Sequence, residues 1–232
     1  MATYLVATVK SWNIEAFQQH TADLPGSWYL ITGPEQLTGD YLAQLQPDYI
    51  FFPHWSWKVP AEITRNYPCV CFHMTDLPFG RGGSPLQNLI LAGFEQTQLT
   101  ALQMTDELDA GPVYGKMPLT LDGTAQQIMR RAAPLVYQLI TQIISKQLAP
   151  QPQQGNVTYF NRRTPAQSQL PAALTATQLY DFIRMLDGEG YPPAYIEHGG
   201  WRLEFSEAKA DNDGQLSAQV TFVPALYHGE QK

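Results

Sequence analysis

A two-part α/β protein is predicted by three features: the length of the chain, an alternation of strand-like and helix-like segments, and one polar break. The 232 residues suffice for a full α/β domain and a smaller appendage, a usual domain taking about 100 to 200 residues. Short apolar runs alternate with candidate helices as far as Lys146, the order that builds a parallel, doubly wound sheet. The break, Gln147-Leu148-Ala149-Pro150-Gln151-Pro152-Gln153-Gln154-Gly155, is polar, Pro-rich and almost uncharged, the composition of an inter-domain linker. The chain is thereby divided into a first domain over residues 1–148, a linker over 149–155 and a small C-terminal α+β subdomain over 156–232.

In chain order, the first strand is expected at residues 4–9, which open on Tyr4-Leu5-Val6-Ala7. Strands follow at 28–32, 49–52 and 69–73, with helical segments between them. A Gly/Pro-rich stretch at 77–85 precedes a helix on which Leu86, Leu89, Ile90 and Phe94 recur at helical spacing, and two more strands lie at 100–104 and 112–118. Thr124 and Gln127 form a capping box that opens a helix to about Lys146, with Ile128, Ala132, Leu135, Leu139 and Ile143 on one face. Pro134 should bend it. Beyond the linker come a short strand at 157–160, a helix at 177–185, and strand pairs around Tyr195, 201–205 and 219–223. Gly199-Gly200 is a hairpin signal.

Charge and composition narrow the function. Lys and Arg number 14 against 21 Asp and Glu, a net charge of −7, and no cationic cluster exceeds Arg130-Arg131 or Arg162-Arg163. A nucleic-acid partner is disfavoured, because binding a polyanion takes a broad basic face. No apolar run approaches the roughly 20 residues that cross a bilayer, and the start lacks the pattern of a secretory signal, so no membrane partner and a cytoplasmic location are expected. Cys69 and Cys71 read as small buried hydrophobes, poorly spaced for a disulfide and too few for structural zinc, and no metal is expected. A homodimer is compatible with this composition.

His73 ends the fourth strand just before a Gly/Pro-rich loop, where open α/β sheets bind ligands. Alone, it reads as a hydrogen-bonded strand end, and Asp109 before Ala-Gly-Pro reads as an ordinary turn residue. Their neighbours change both readings. His73-Met74-Thr75-Asp76-Leu77-Pro78, Arg81-Gly82-Gly83-Ser84-Pro85 and Leu108-Asp109-Ala110-Gly111-Pro112 resemble, in order and spacing, the signature of the 10-formyltetrahydrofolate-dependent formyltransferase family, over most of residues 3–145. That family includes the methionyl-tRNA, glycinamide-ribonucleotide and sugar-nucleotide N-formyltransferases.

The resemblance implies a Rossmann-like formyltransferase domain with a parallel-rich sheet, 10-formyltetrahydrofolate as co-substrate, and His73 and Asp109 as catalytic residues. In the implied reaction a neutral amine attacks the formyl carbon. The imidazole then donates to the oxyanion, and the carboxylate orients the imidazole and accepts the proton. The family's asparagine two positions before the histidine is here Cys71, a poor donor, and Gln87, Asn88 or His54 is expected to compensate.

By the same resemblance, Pro53, His54, Trp55, Ser56 and Trp57 after the third strand, with Met104, Asp106 and Leu108, form the folate pocket. The plainer reading of the tryptophans is core filling. Met74, Thr75, Asp76, Phe79, Gly80, Arg81, Gly82, Gly83, Ser84 and Pro85 are substrate-binding candidates. Backbone amides, a guanidinium and a following helix N-terminus there suit a phosphate, and the alternative is a tight structural turn.

Residues 160–168, 180–185 and 191–194 resemble the C-terminal region of sugar-nucleotide N-formyltransferases, which adds Gln87, Asn88, Arg184 and Tyr191 to the substrate candidates. Residues 12–17, Phe52-Pro53-His54-Trp55-Ser56, 73–88 and 183–187 are similar to the formyltransferases of pseudaminic acid pathways. Those act on a UDP-linked amino sugar, UDP-4-amino-4,6-dideoxy-N-acetyl-altrosamine. A tRNA-acting enzyme, and a catalytically weak folate- or nucleotide-binding protein, stay open as alternatives.

Overall fold

The computed structural model describes residues 1–211 and 213–225. The elements run β1 (Thr3–Ala7), α1 (Ser11–His20), β2 (Ser27–Ile31), α2 (Gly39–Leu45), β3 (Tyr49–Phe52), α3 (Ala61–Asn66), β4 (Cys69–His73), β5 (Arg81–Gly82), α4 (Pro85–Leu91), β6 (Gln96–Gln103) and β7 (Val113–Thr120). They continue with α5 (Ala125–Lys146), β8 (Tyr159–Phe160), α6 (Ala176–Arg184), β9 (Ala194–His198), β10 (Trp201–Ala210) and β11 (Leu216–Pro224).

Six strands form the main sheet in the order β2-β1-β3-β4-β6-β7. β1 to β4 pair in parallel, and their unbroken apolar runs follow from burial on both faces: Leu5, Val6, Ala7, Ile50, Phe51 and Val70 have no exposed surface. The sheet is parallel-rich, as expected, and β6 is its antiparallel member beside β4, pairing His73 with Thr100 and Val70 with Gln103. The intervening residues 86–95 belong to a second compact unit instead of forming a crossover helix of the sheet.

The Thr124–Gln127 capping box is present, with Thr124 N donating to Gln127 Oε1 at 3.0 Å and Gln127 N to Thr124 Oγ1 at 3.2 Å. α5 runs through Pro134 as one 22-residue helix. Its apolar stripe is buried at Ile128, Ala132, Val136, Leu139 and Ile143.

The compact units are discontinuous in sequence. The first comprises residues 1–85, 96–119 and 129–160, and the second 86–95, 120–128 and the chain from 161 onward. Residues 149–155, expected as a linker, lie inside the first unit, where Val113 and Gln151 exchange both backbone hydrogen bonds at 2.7 and 2.8 Å. Of the C-terminal subdomain, Asn212 and residues 226–232 lie outside the described residues. The second unit carries the antiparallel sheet β11-β10-β9, with Gly199 and Gly200 as the two-residue hairpin turn at φ 57° and 81°. No helix among the described residues is long and apolar enough to cross a membrane.

Candidate functional site

β4 ends at His73, and strand alternation puts Cys71 on the same face. The His73 ring is 8% exposed, and its Nε2 donates to the Gly80 carbonyl at 2.8 Å. A carbonyl only accepts, so the hydrogen of the neutral ring sits on Nε2. Nδ1 faces Asp109 Oδ2 at 3.6 Å, just beyond hydrogen-bond length. Each ring nitrogen therefore has an acceptor in front of it, and a doubly protonated imidazole has both N–H groups matched.

Asp109 reaches this place from the loop between β6 and β7. Its backbone is left-handed, at φ 54°, a region that aspartate tolerates better than most residues. The turn closes so tightly that a Cβ on Gly111 would lie 1.8 Å from the Gln103 carbonyl oxygen, which explains the glycine. The Gly82 amide donates to Asp109 Oδ2 at 2.9 Å. Gly82 too must be glycine, because φ is 104° and a Cβ would meet the Phe160 carbonyl oxygen at 2.4 Å.

Cys71 belongs to the same cluster. Burial, then the Asp109 charge, then Cys69 push its thiol well above the usual range, so at neutral pH it is a protonated, weak donor. Cys69, buried in the strand and free like Cys71, is pushed up to about 12 by burial.

The donors expected to compensate for Cys71 are engaged elsewhere. Gln87 Nε2 donates to the Met185 carbonyl at 3.3 Å, and Asn88 Nδ2 to the Asn161 carbonyl at 3.1 Å. His54 Nδ1 accepts from Asn13 Nδ2 at 3.1 Å, its ring edge-on to Trp12. Burial, with Lys10 adding to it, holds His54 down to about 4, so it is neutral.

The folate candidates divide. Trp55 and Met104 pack against one hydrophobic cluster, and Trp55 Nε1 is buried without a partner. Trp57 crosses Trp55 at 5.1 Å and is 45% exposed, Leu108 is 69% exposed, Ser56 is exposed and Pro53 is buried. Asp106 lies on the surface, paired with Arg65 at 2.8 Å.

In the loop at 77–85, expected to suit a phosphate, the amides of residues 79–83 are hydrogen-bonded within the protein. Its amides are already spent: Phe79 on the Asp76 carbonyl, Gly80 on Thr158 Oγ1, Arg81 on the Thr158 carbonyl, Gly82 on Asp109 and Gly83 on the Phe160 carbonyl. The Arg81 guanidinium, 8% exposed as a residue, bonds Gln153 Oε1 through Nε and Nη2 and Glu107 through Nη1. Met74 and Thr75 are buried, with their carbonyls accepting from Thr97 and Thr100, and Asp76 pairs with Lys116. Phe79 meets Phe160 edge-on at 5.5 Å, Ser84 is left-handed at φ 50°, and Pro85 opens α4.

In the second unit Arg184 is buried and tied to its neighbours. It bonds Asp181 at 2.7 Å and the carbonyls of Leu121 and Gly123, with Tyr180 beneath it. Tyr191 is raised by burial while bonded to Gln87. From 161 to 225, Arg162, Arg163, Arg184, Arg202 and Lys209 are outnumbered by Asp181, Asp187, Glu189, Glu197, Glu204, Glu207, Asp211 and Asp213. Arg202 is further tied to Glu197 and Tyr195, and Arg163 to the Gln167 carbonyl and Phe182. Neither Gln153, within the linker-like stretch, nor Thr158, in the short strand expected after it, carries a local signal of its role. No group of three or more His, Cys, Asp or Glu among the described residues is placed to hold a metal.

Comparison with known proteins adds to this geometry. A family model described as "Formyl transferase" matches residues 32–144, and one described as "Methionyl-tRNA formyltransferase, C-terminal domain" matches residues 165–223. A solved methionyl-tRNA formyltransferase from Clostridium thermocellum is 43% identical, with a TM-score of 0.93 over 97% of this chain and 100% of that one. A methionyl-tRNA formyltransferase of Lactobacillus delbrueckii subsp. bulgaricus is 29% identical over 77% of this chain and 59% of its own length, so the chain spans under two thirds of such relatives. A sugar N-formyltransferase from a Shewanella species shares the fold, with a TM-score of 0.65 at 15% identity over 96% of this chain and 98% of that one.

Proposed function

The chain belongs to the formyltransferase family, and from that premise we propose that it transfers the formyl group of 10-formyltetrahydrofolate to the amine of a nucleotide-linked amino sugar. The observation that carries formyl transfer is the buried pair His73 and Asp109, 3.6 Å apart. The folate co-substrate supplies an activated formyl carbon. Trp55, Trp57, Met104 and Leu108 are the residues to hold it, offering apolar surface and, at Trp55 Nε1, an unpartnered donor.

As the neutral amine attacks, positive charge builds on its nitrogen and negative charge on the formyl oxygen. The Asp109 carboxylate accepts the ammonium proton, and His73 Nδ1 is the next base in line. The imidazolium that results has the Gly80 carbonyl and the Asp109 carboxylate as its two acceptors. Its charge offsets the developing oxyanion, and its proton passes to the folate nitrogen as the bond from that nitrogen to the formyl carbon breaks and tetrahydrofolate leaves. This differs from the simple expectation that His73 donates to the oxyanion, because Nε2 is turned to Gly80.

The acceptor we assign is UDP-4-amino-4,6-dideoxy-N-acetyl-altrosamine of pseudaminic acid pathways. The motifs at 73–88 and 183–187 support it, together with a net charge of −7 and the absence of a basic face among the described residues of the second unit. A second reading, formylation of methionyl-tRNA, is favoured by the names of the 43% identical relative and of the model matching residues 165–223.

Incubation with 10-formyltetrahydrofolate and a panel of amino-sugar nucleotides, with charged initiator tRNA alongside, separates the two by mass spectrometry. One formyl group added to a UDP-amino sugar is expected. Formylation of the tRNA with no sugar product overturns the assignment.

A further inference from the structure

We propose that residues 151–160 form a positioning strap for the His73–Asp109 pair, with Gln153 the residue that holds Asp109 in its working geometry. The kinetic part of this proposal rests on the formyl-transfer reading of the pair.

Asp109 sits in a left-handed backbone region that persists where the surroundings enforce it. Gln153 supplies the enforcement. Its Nε2 donates to the carbonyls of Asp109 and Gly111, both at 2.8 Å, and so fixes the Asp109–Ala110 and Gly111–Pro112 peptide planes. The side chain cannot turn round, because its Oε1 accepts from Arg81 Nε at 3.2 Å and Nη2 at 2.9 Å, and a guanidinium has only donors to offer. Arg81 thus acts through Gln153, and the amide faces the turn by chemical necessity.

The strap also holds the other acceptor of the histidine. Thr158 Oγ1 accepts from the Gly80 amide at 2.7 Å, its carbonyl from the Arg81 amide at 3.0 Å, and its own amide donates to the Pro78 carbonyl at 3.2 Å. Gly80 is the residue whose carbonyl receives the His73 Nε2 hydrogen. At one end Gln151 is paired with Val113, and at the other β8 pairs with β5. One short segment therefore sets both groups that flank the imidazole, the Gly80 carbonyl and the Asp109 carboxylate. Displacing either by about 1 Å is enough to cost about 100-fold in rate.

Gln153→Met keeps the length of the side chain and removes its amide. The expected result is a kcat lower by about 100-fold with KM for both substrates unchanged, since nothing that touches substrate is removed. The Gly82 amide, which donates to Asp109 Oδ2, should exchange faster with deuterium while the amides of β3 and β4 keep their protection. Arg81→Met added to Gln153→Met should cause little further loss, because the two residues act in series. Thr158→Val, which removes the acceptor of the Gly80 amide, should lower kcat in the same way. Wild-type kcat and Gly82 exchange in Gln153→Met overturn the proposal, as does a kcat loss that tracks loss of protection across the sheet. Should the wild-type protein transfer no formyl group at all, the functional reading fails, and Gly82 exchange in Gln153→Met alone decides the positioning.

Discussion

His73 Nδ1 lies 3.6 Å from Asp109 Oδ2, slightly too far for a hydrogen bond in the neutral ring and close enough to become one when the imidazole gains a proton. Asp109→Asn preserves size and removes the charge, and kcat should fall by about 10² to 10⁴. Thermal unfolding should stay close to wild type, because the Gly82 amide can still find an oxygen there. Steady-state rates and melting curves check this, and a wild-type rate would remove Asp109 from the chemistry.

Cys71 occupies the position of the family's asparagine, beside Asp109, and its thiol is held protonated. Cys71→Asn should leave kcat unchanged or raise it, the ceiling being the roughly 3 kcal/mol that one preorganised donor contributes. A large fall in kcat with retained folding would show that the thiol itself is required. Since the thiolate is suppressed, the wild-type protein should also react slowly with alkylating reagents at neutral pH.

His54 makes stability depend on pH. Its folded pKa of about 4 lies below the unfolded value near 6.5, so on acidification the unfolded chain takes up the proton first. The stabilisation is complete above about pH 6.5, declines between about 6.5 and 4, and is gone below that, for a total of about 3 kcal/mol. Denaturant midpoints at pH 7 and pH 5 should differ accordingly. His54→Asn, which suits the left-handed φ of 54°, should flatten that slope, and an unchanged slope would place the titration elsewhere.

The legibility of this fold differs from element to element. β1 to β4 stand out because strands buried on both faces leave unbroken apolar runs, and Gly199-Gly200 marks its hairpin through backbone freedom alone. The direction of β6 is hidden, because the helical pattern of residues 86–91 reads the same whichever way the next strand runs. His73 and Asp109 are readable as a pair only through their motifs. Arg81 illustrates a limit of pattern: a glycine-rich loop with an arginine looks the same in sequence whether its amides are open or closed by a returning segment. The segment that closes them, 151–160, reads as the end of a linker and a short strand, because Gln153 and Thr158 act through hydrogen bonds to a loop and turn distant in sequence.

The most direct test follows formyl transfer from 10-formyltetrahydrofolate to UDP-4-amino-4,6-dideoxy-N-acetyl-altrosamine in single turnover, with wild type and His73→Ala side by side and charged initiator tRNA as the competing acceptor. The expected result is rapid formylation of the sugar amine by wild type, a rate lower by about 10² or more in His73→Ala, and no tRNA product. Formylation of the tRNA alone, or equal sugar rates in the two proteins, would contradict it.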